Sequence, residues 1–541
     1  MVGPDFKLRT HAAYREVEME YWPQVRWWLP EGLATDRTLD SNLEQIHDAG
    51  FGGIEIIAIP EDGVDHTVYG WGSDEWNEDS RRVIRGAVRR GLAFSLTSGA
   101  HWGTANIPDT HAYGGQPYDL DSPAAAQELD YASIVIRGGE TFAGPVPPLT
   151  LPQKAKGARV VTLLGVLAVH LESERRSIEA ADGTFTQTQG VLDLKTVVDL
   201  TPRVAEGGGT VEFTAPGGVD VELFAFYIHG TGQTADPSFS VNYTINYFDP
   251  AGAEALTDYW DRNVLTDDVR ADLARSGLGE LYMDSLELST YGQGGLLWGR
   301  TMRDEFKRRR GYDVLPYLPF LVKNPDREGA VVASSRLALL IAAGAVRNSG
   351  NGRIVTNYRA ESEDSQGVIE KVMNDLYRTM SELYCENTLG PIRQWLHGHH
   401  MKLRAEPSYG YTLEISTPAR YLDGVEIESY AQAGELDLYR NMLGSANMYG
   451  RPFSSETGAV ARRNYFYNMD DWTQLAYLQF ALGVVRTVLH GWAGIEGPES
   501  STHWPGHEGM YPWYSERFDG RQPASTAYPE WTRMLARNQK F

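Results

Sequence analysis

Apolar positions in this chain fall into short runs separated by stretches of helical period, and the two alternate. Val25–Pro30 (VRWWLP) reads as a short strand. Ser41–Gly50 follows as a helix, with Leu43, Ile46 and Ala49 on one face and Gly50 as its stop. Gly53–Ile59 (GIEIIAI) is a second strand, ending at Pro60. A polar loop, Tyr69–Trp76 (YGWGSDEW), leads to a helix over Arg81–Arg90 and a third strand at Ala93–Ser98. Two strand–helix–strand units with short connections predict a parallel sheet covered by helices.

From Tyr131 to Tyr227 the rhythm changes. Several β-type runs, among them VVTLLGVLAVHLE and VELFAFYI, are divided by Gly, Pro and Asn/Asp without a clear helix. This predicts an inserted all-β module. The earlier rhythm resumes with a helix over Asp249–Leu265, a strand at Leu281–Met283 and a helix from about Thr301 to Arg310, closed by Gly311. A long helical region spans about Glu328–His400, interrupted near Asn348–Arg353, and four more apolar runs follow: Lys402–Tyr409, Gly424–Glu428, Pro452–Glu456 and Val485–Trp492. Asp470–Leu482 is an amphipathic helix between the last two.

The strands number eight, near positions 26, 55, 95, 282, 404, 425, 453 and 488. Alternated with helices, they predict an α/β fold, a (β/α)8 barrel of the TIM type with the β-module inserted after the third strand. The expected bounds are 1–130 for the first part of the barrel, 131–230 for the module and 231–541 for the rest.

Charge narrows the partners. With 49 Lys and Arg against 72 Asp and Glu, the net charge is −23, which argues against nucleic acid and anionic membrane surfaces. No apolar run reaches the roughly 18 residues of a membrane span, so no membrane partner is expected. The N-terminus has no signal-peptide core, so the chain reads as cytoplasmic, or as secreted if a leader has been removed. Cys385 is the single cysteine, which excludes an intrachain disulfide and a cysteine metal cluster. Oligomeric state is not legible from the pattern.

Candidate chemistry gathers at the ends of the later strands. Asp284 and Glu287 follow the fourth, Glu406 the fifth, Glu428 the sixth, Glu456 the seventh and His490 the eighth. In a barrel these ends converge on one mouth, where catalytic groups sit. Carboxylates grouped with tryptophans suit glycoside chemistry, in which one carboxylic acid protonates the leaving oxygen and a second carboxylate activates water or attacks carbon. Loop tryptophans, Trp102 and Trp504 foremost, are candidate sugar contacts together with Asp284, Glu406, Glu428 and His490. No dinucleotide, nucleotide-phosphate, zincin or serine-hydrolase motif stands in a usable context, so no organic cofactor is expected. No residue is assigned as a metal ligand, because no loop has calcium-ligand spacing.

The chain resembles the α-L-rhamnosidases of glycoside hydrolase family 106. The resemblance rests on VRWWLPEG, DAGFGGIEI, YGWGSDEW, MDSLE followed by EFKRRRGYDVLPYLP, LRAEPSYG, DGVEIESY, SANMYGRPFSSET, the HGW segment and WPGHEGMYPW, in that order. It implies a catalytic barrel, without the C-terminal β domains that the family usually carries. It also implies an inverting exo-hydrolase that releases terminal α-L-rhamnose from a carbohydrate or glycoside. The family's acid in its D-S-x-E motif falls on Glu287, and its later acid falls on Glu456; Asp284 and Glu428 fall on active-site acids. A Ca2+ ion near these carboxylates is a further implication. Local chemistry suggests Glu287 as the acid, since the nearby Asp284 charge raises its pKa, and Glu456 as the base, among Ser454, Ser455 and Thr457, with the reverse assignment left open by the sequence. The alternatives are an inactive carbohydrate-binding protein on the same scaffold, or a barrel enzyme acting on another glycoside.

Overall fold

The computed structural model describes residues 17–30, 34–60, 64–101, 103–179, 185–323, 356–407, 413–429, 436–459, 465–493 and 516–540. Its centre is a closed barrel of eight parallel strands. They are β1 (Gln24–Pro30), β2 (Gly53–Ile59), β3 (Ala93–Thr97), β4 (Gly279–Met283), β5 (Met401–Ala405), β6 (Gly424–Glu428), β7 (Phe453–Thr457) and β8 (Arg486–Trp492). Each pairs with the next in parallel, and β8 returns to β1, with Val25 opposite Leu489. The expected (β/α)8 barrel is the observed one.

Helices cover the outside for reasons visible in their ends. Asp74–Arg90 starts where the Ser73 hydroxyl accepts the Trp76 N–H and stops at Gly91, whose φ of 71° is open to glycine at little cost. Met469–Ala481 begins with a capping box between Asn468 and Asp471. One connection departs from the expected alternation. Between β5 and β6 the described residues hold only a short 3-10 turn, Thr417–Tyr421, with Pro418 inside it. Among the described residues, no helix is long and apolar enough to cross a membrane.

The insertion is a sheet whose centre is Val221–Gly230, paired antiparallel with Gln127–Ile136 and Thr162–Ser173. Its two faces alternate with the period of a strand. Leu223 and Ala225 pack with Ile136, Val166 and Val204 in a small separate core. Phe224, Phe226, Leu129 and Tyr131 face the other way and join the core of the barrel. The sheet also takes edge strands from beyond position 230. Leu296–Trp298 pairs with Gln127–Leu129, and Tyr358–Ala360 pairs with Gly190–Leu192. The polypeptide that follows β4 is therefore stitched to the insertion on both sides.

Candidate active site

Inside the barrel, alternate residues of each strand point at the axis, and here those positions are largely charged. Arg26 of β1 lies 2.5 Å from Glu55 of β2. Arg404 of β5 pairs with Glu55, Glu280 and Glu426 and stacks 4.0 Å from the centre of the Tyr282 ring. Arg486 of β8 lies 2.9 Å from Glu280. Three arginines thus meet three glutamates in a layer from which water is excluded. Burial pushes the Glu280 carboxyl up, but Arg486 and Arg404 outweigh it and hold it down at about 2. Gly424 makes room for this layer, since a Cβ there would stand 3.3 Å from Arg404 Cγ.

One layer nearer the mouth the balance fails. Asp284, Glu406, Glu428 and Glu456 all lie at C-terminal strand ends, with their side chains largely removed from water. The guanidinium that reaches them from below is Arg26, whose Nη1 is 3.1 Å from Asp284 and 2.6 Å from Glu456. Burial, then the charges of Asp284, Glu456 and Glu428, lift Glu406 well above the ordinary carboxylate range. Burial lifts Glu456 as well, and Asp284 and Glu428 add to it against the pull of Arg26. Asp284, Glu406 and Glu456, crowded together beside Arg26, hold their protons more tightly than isolated carboxylates do.

Glu287 stands apart from this cluster, on the irregular segment after β4. Its carboxylate accepts the Ser285 hydroxyl at 3.3 Å. Burial, reinforced by the Asp284 charge, pushes its pKa up to about 7. His490 lies across the mouth with Nε2 3.9 Å from Glu456 and its ring edge-on to Trp28, 5.2 Å between centres. Burial, followed by Arg26 and Arg517, drives its imidazole well below the ordinary range, so it is neutral.

The structure thus brings Asp284, Glu406 and Glu456 together and puts Glu428 and His490 in the same layer, with Glu287 on the rim. Trp102 and Trp504 lie outside the described residues. Of the other loop tryptophans, Trp298 and Trp492 are fully buried strand residues. Trp492 donates its indole N–H to Asn42 at 2.8 Å, on the outside of the barrel. Of the adjacent pair on β1, Trp28 shares the inward face with Arg26, and Trp27 joins the outer core. His399 Nε2 lies 3.1 Å from Asp261.

Residue-by-residue reading missed Arg26, Glu55, Glu280, Glu426 and His101. The first four carry a signal, a charged residue set inside an otherwise apolar run. His101 adopts φ 59°, and burial together with Arg26 lowers its imidazole to about 4, leaving it neutral beside Asp284 in a small cavity.

The residues present fit a calcium ion. Asp284, Glu406 and Glu456 each offer an oxygen, all within 4.8 Å of one another. This all-oxygen, anionic donor set is what a hard cation takes. Glu406 Oε1 is buried with no hydrogen-bond partner among the described residues.

Comparison with known proteins bears on the fold and on the family. The alpha-L-rhamnosidase model of glycoside hydrolase family 106 matches residues 173–337, a span that contains Asp284 and Glu287. A curated relative described as a putative beta-glucuronidase, from Formosa agariphila, is 20% identical over 405 residues, covering 71% of this chain and 29% of that protein. The structure of a rhamnosidase from Novosphingobium sp. PP1Y aligns with TM-score 0.62 and 14% identity, over 98% of this chain and 60% of that one. The chain spans less than two thirds of the length of either relative. At such identity the structural likeness establishes the shared barrel fold. The family match, over residues 173–337, adds a likeness to glycoside hydrolase family 106.

Proposed function

We propose that this family 106-like chain is an exo-acting glycoside hydrolase that releases terminal α-L-rhamnose with inversion, Glu287 serving as general acid and Glu456 as general base. The observation that carries the reading is the environment of Glu287. A carboxyl held at about 7 by burial and by Asp284 is still substantially protonated near neutral pH, where an ordinary glutamate is not, and an acid that must protonate a glycosidic oxygen needs that proton.

Each neighbour has a task in this scheme. Glu456 takes a proton from the water that attacks the anomeric carbon. Arg26, 2.6 Å away, pulls it toward the ionised form a base needs, against burial and the neighbouring Asp284 and Glu428 charges, which favour the protonated one. Neutral His490 and His101 donate or accept hydrogen bonds to sugar hydroxyls without adding charge to the site. Trp28 supplies an apolar wall beside His490. A calcium ion held by Asp284, Glu406 and Glu456 would supply positive charge that orients sugar hydroxyls and keeps these carboxylates ionised. Inversion requires the two acting carboxyl groups to stand roughly 6.5–9.5 Å apart, which leaves room for a water.

The test uses nitrophenyl glycosides, with a β-glucuronide in the panel because the Formosa relative carries that description. Glu287→Gln and Glu456→Gln should each lower turnover on an aryl α-L-rhamnoside by at least about 100-fold. Followed by NMR, the first product should be the β anomer of the free sugar. Near-normal turnover in both variants would sink the assignment, and an initial α anomer would replace inversion with retention.

A further inference from the structure

Glu287 lies on residues 284–290, which have no regular secondary structure, so its own backbone does little to fix where the carboxyl points. Groups from elsewhere hold it. The Glu287 N–H donates to the Gly103 carbonyl at 2.9 Å. Its carbonyl accepts from Gln233 Nε2 at 2.8 Å, while Gln233 Oε1 accepts the Ser289 N–H at 2.9 Å. A single amide side chain thus does what a neighbouring strand would do, donating to one carbonyl and accepting from an N–H two residues on. Only one orientation of the amide satisfies both bonds. Gln233 is anchored in turn, since its N–H donates to the Thr231 hydroxyl at 3.1 Å and its carbonyl accepts the Thr244 N–H at 3.0 Å.

The next turn of the same segment is strapped to the inserted sheet. Glu128 accepts the N–H groups of Tyr291 and Gly292 at 2.8 and 2.9 Å, and Asp130 accepts that of Gly294 at 2.8 Å. The approach is close enough to need glycine. A Cβ on Gly292 would stand 2.3 Å from the Asp130 carboxylate, and one on Gly294 would stand 2.3 Å from the Leu129 carbonyl. Beyond Gln233, then, the segment has no slack to absorb a displacement of Glu287.

We propose that Gln233 is a positioning residue for Glu287: by gripping the backbone on both sides of the acid, it aims the carboxyl at the leaving oxygen. The inserted sheet, through the Glu128–Asp130 strap and through Gln233 on the segment that leaves its central strand, is thereby part of the proton-transfer apparatus. This rests on Glu287 being the proton donor. A misaimed acid costs most where the leaving group needs its proton, and little where the leaving group departs as a stable anion.

The experiment compares turnover of dinitrophenyl and methoxyphenyl α-L-rhamnosides by the full chain and by Gln233→Ala, Gln233→Glu and Glu287→Gln. Both substrates are assayed on one preparation, so any misfolded fraction cancels in the ratio of the two rates. Gln233→Glu keeps the acceptor for Ser289 but faces the Glu287 carbonyl with an oxygen in place of the donor. Each Gln233 variant should slow the methoxyphenyl substrate by roughly 10- to 100-fold and the dinitrophenyl substrate far less, with the loss in kcat rather than KM. A ratio unchanged from wild type in both Gln233 variants, beside a raised ratio in Glu287→Gln, would overturn the positioning role alone. An unchanged ratio in Glu287→Gln would remove Glu287 as proton donor, and the positioning role with it.

Discussion

A carboxyl that titrates near neutral pH answers to its surroundings, and Glu287 shows which ones. Burial and the Asp284 charge raise it to about 7, against 4.5 for an ordinary glutamate. If it is the acid, kcat/KM should fall as pH rises through about 7, and Glu287→Gln should abolish that limb of the profile. The same shift has a stability consequence of defined sign. The folded state binds this proton more tightly than the unfolded chain, so the contribution is complete below the unfolded pKa and is lost as pH rises through the folded one. Glu287→Gln should therefore raise the melting temperature relative to wild type at pH 8 and much less at pH 5. The differential is at most a few kcal/mol, on the scale of about 1.4 kcal/mol per pKa unit. Thermal unfolding of both proteins at the two pH values measures it. These site residues were legible to different degrees. Asp284, Glu287, Glu406, Glu428 and Glu456 stand where apolar runs end, and a strand end marks a barrel mouth. Arg26 and Glu55 lie inside such runs, where a charged residue reads as an outward-facing one until the strand is placed in a closed sheet.

At the level of elements, the barrel strands set themselves apart from the usual packed interior of branched aliphatic residues. Arg404 serves Glu55, Glu280 and Glu426 at once, and Ser454 adds a hydrogen bond to Glu426 at 2.5 Å. Truncating one partner of such a buried network leaves charges without compensation. Arg404→Met should lower stability by about 3–5 kcal/mol, read as a shift of the denaturant midpoint. A change below about 1 kcal/mol would mean that the neighbouring groups neutralise the vacancy. Strand existence was clear from the sequence because five to seven apolar-rich residues bounded by Gly, Pro or acid can do little else. The edge strands Leu296–Trp298 and Tyr358–Ala360 were not clear, because three residues carry no measurable period. They become strands only because the sheet offers them a free edge.

On the scale of the molecule, barrel and insertion share one core. Phe224, Phe226 and Tyr131 of the sheet pack in the same cluster as Leu281, Leu403 and Val425 of the barrel. Strands from beyond β4 pair on both edges of the inserted sheet. The two parts should therefore unfold together, giving a single calorimetric transition with matching calorimetric and van't Hoff enthalpies. Deleting residues 127–230 should leave a barrel that does not fold, since the paired faces of residues 291–298 and 358–360 would be exposed. Two resolved transitions, or a folded deletion variant, would contradict this view.

The sequence by itself determined the number of barrel strands, their order and the acids at their ends, because alternation and helical period are local properties that survive without tertiary context. It also carried the family resemblance. Only the tertiary structure decided which charges meet. Whether Arg26 neutralises Glu55, Asp284 or Glu456 depends on closure of β8 against β1, which brings together residues hundreds of positions apart. The setting of Glu287 was likewise decided there. Its pKa and its aim depend on Asp284 beside it, on Gly103 from the loop after β3 and on Gln233 from the segment just past the insertion, contacts that no local pattern encodes.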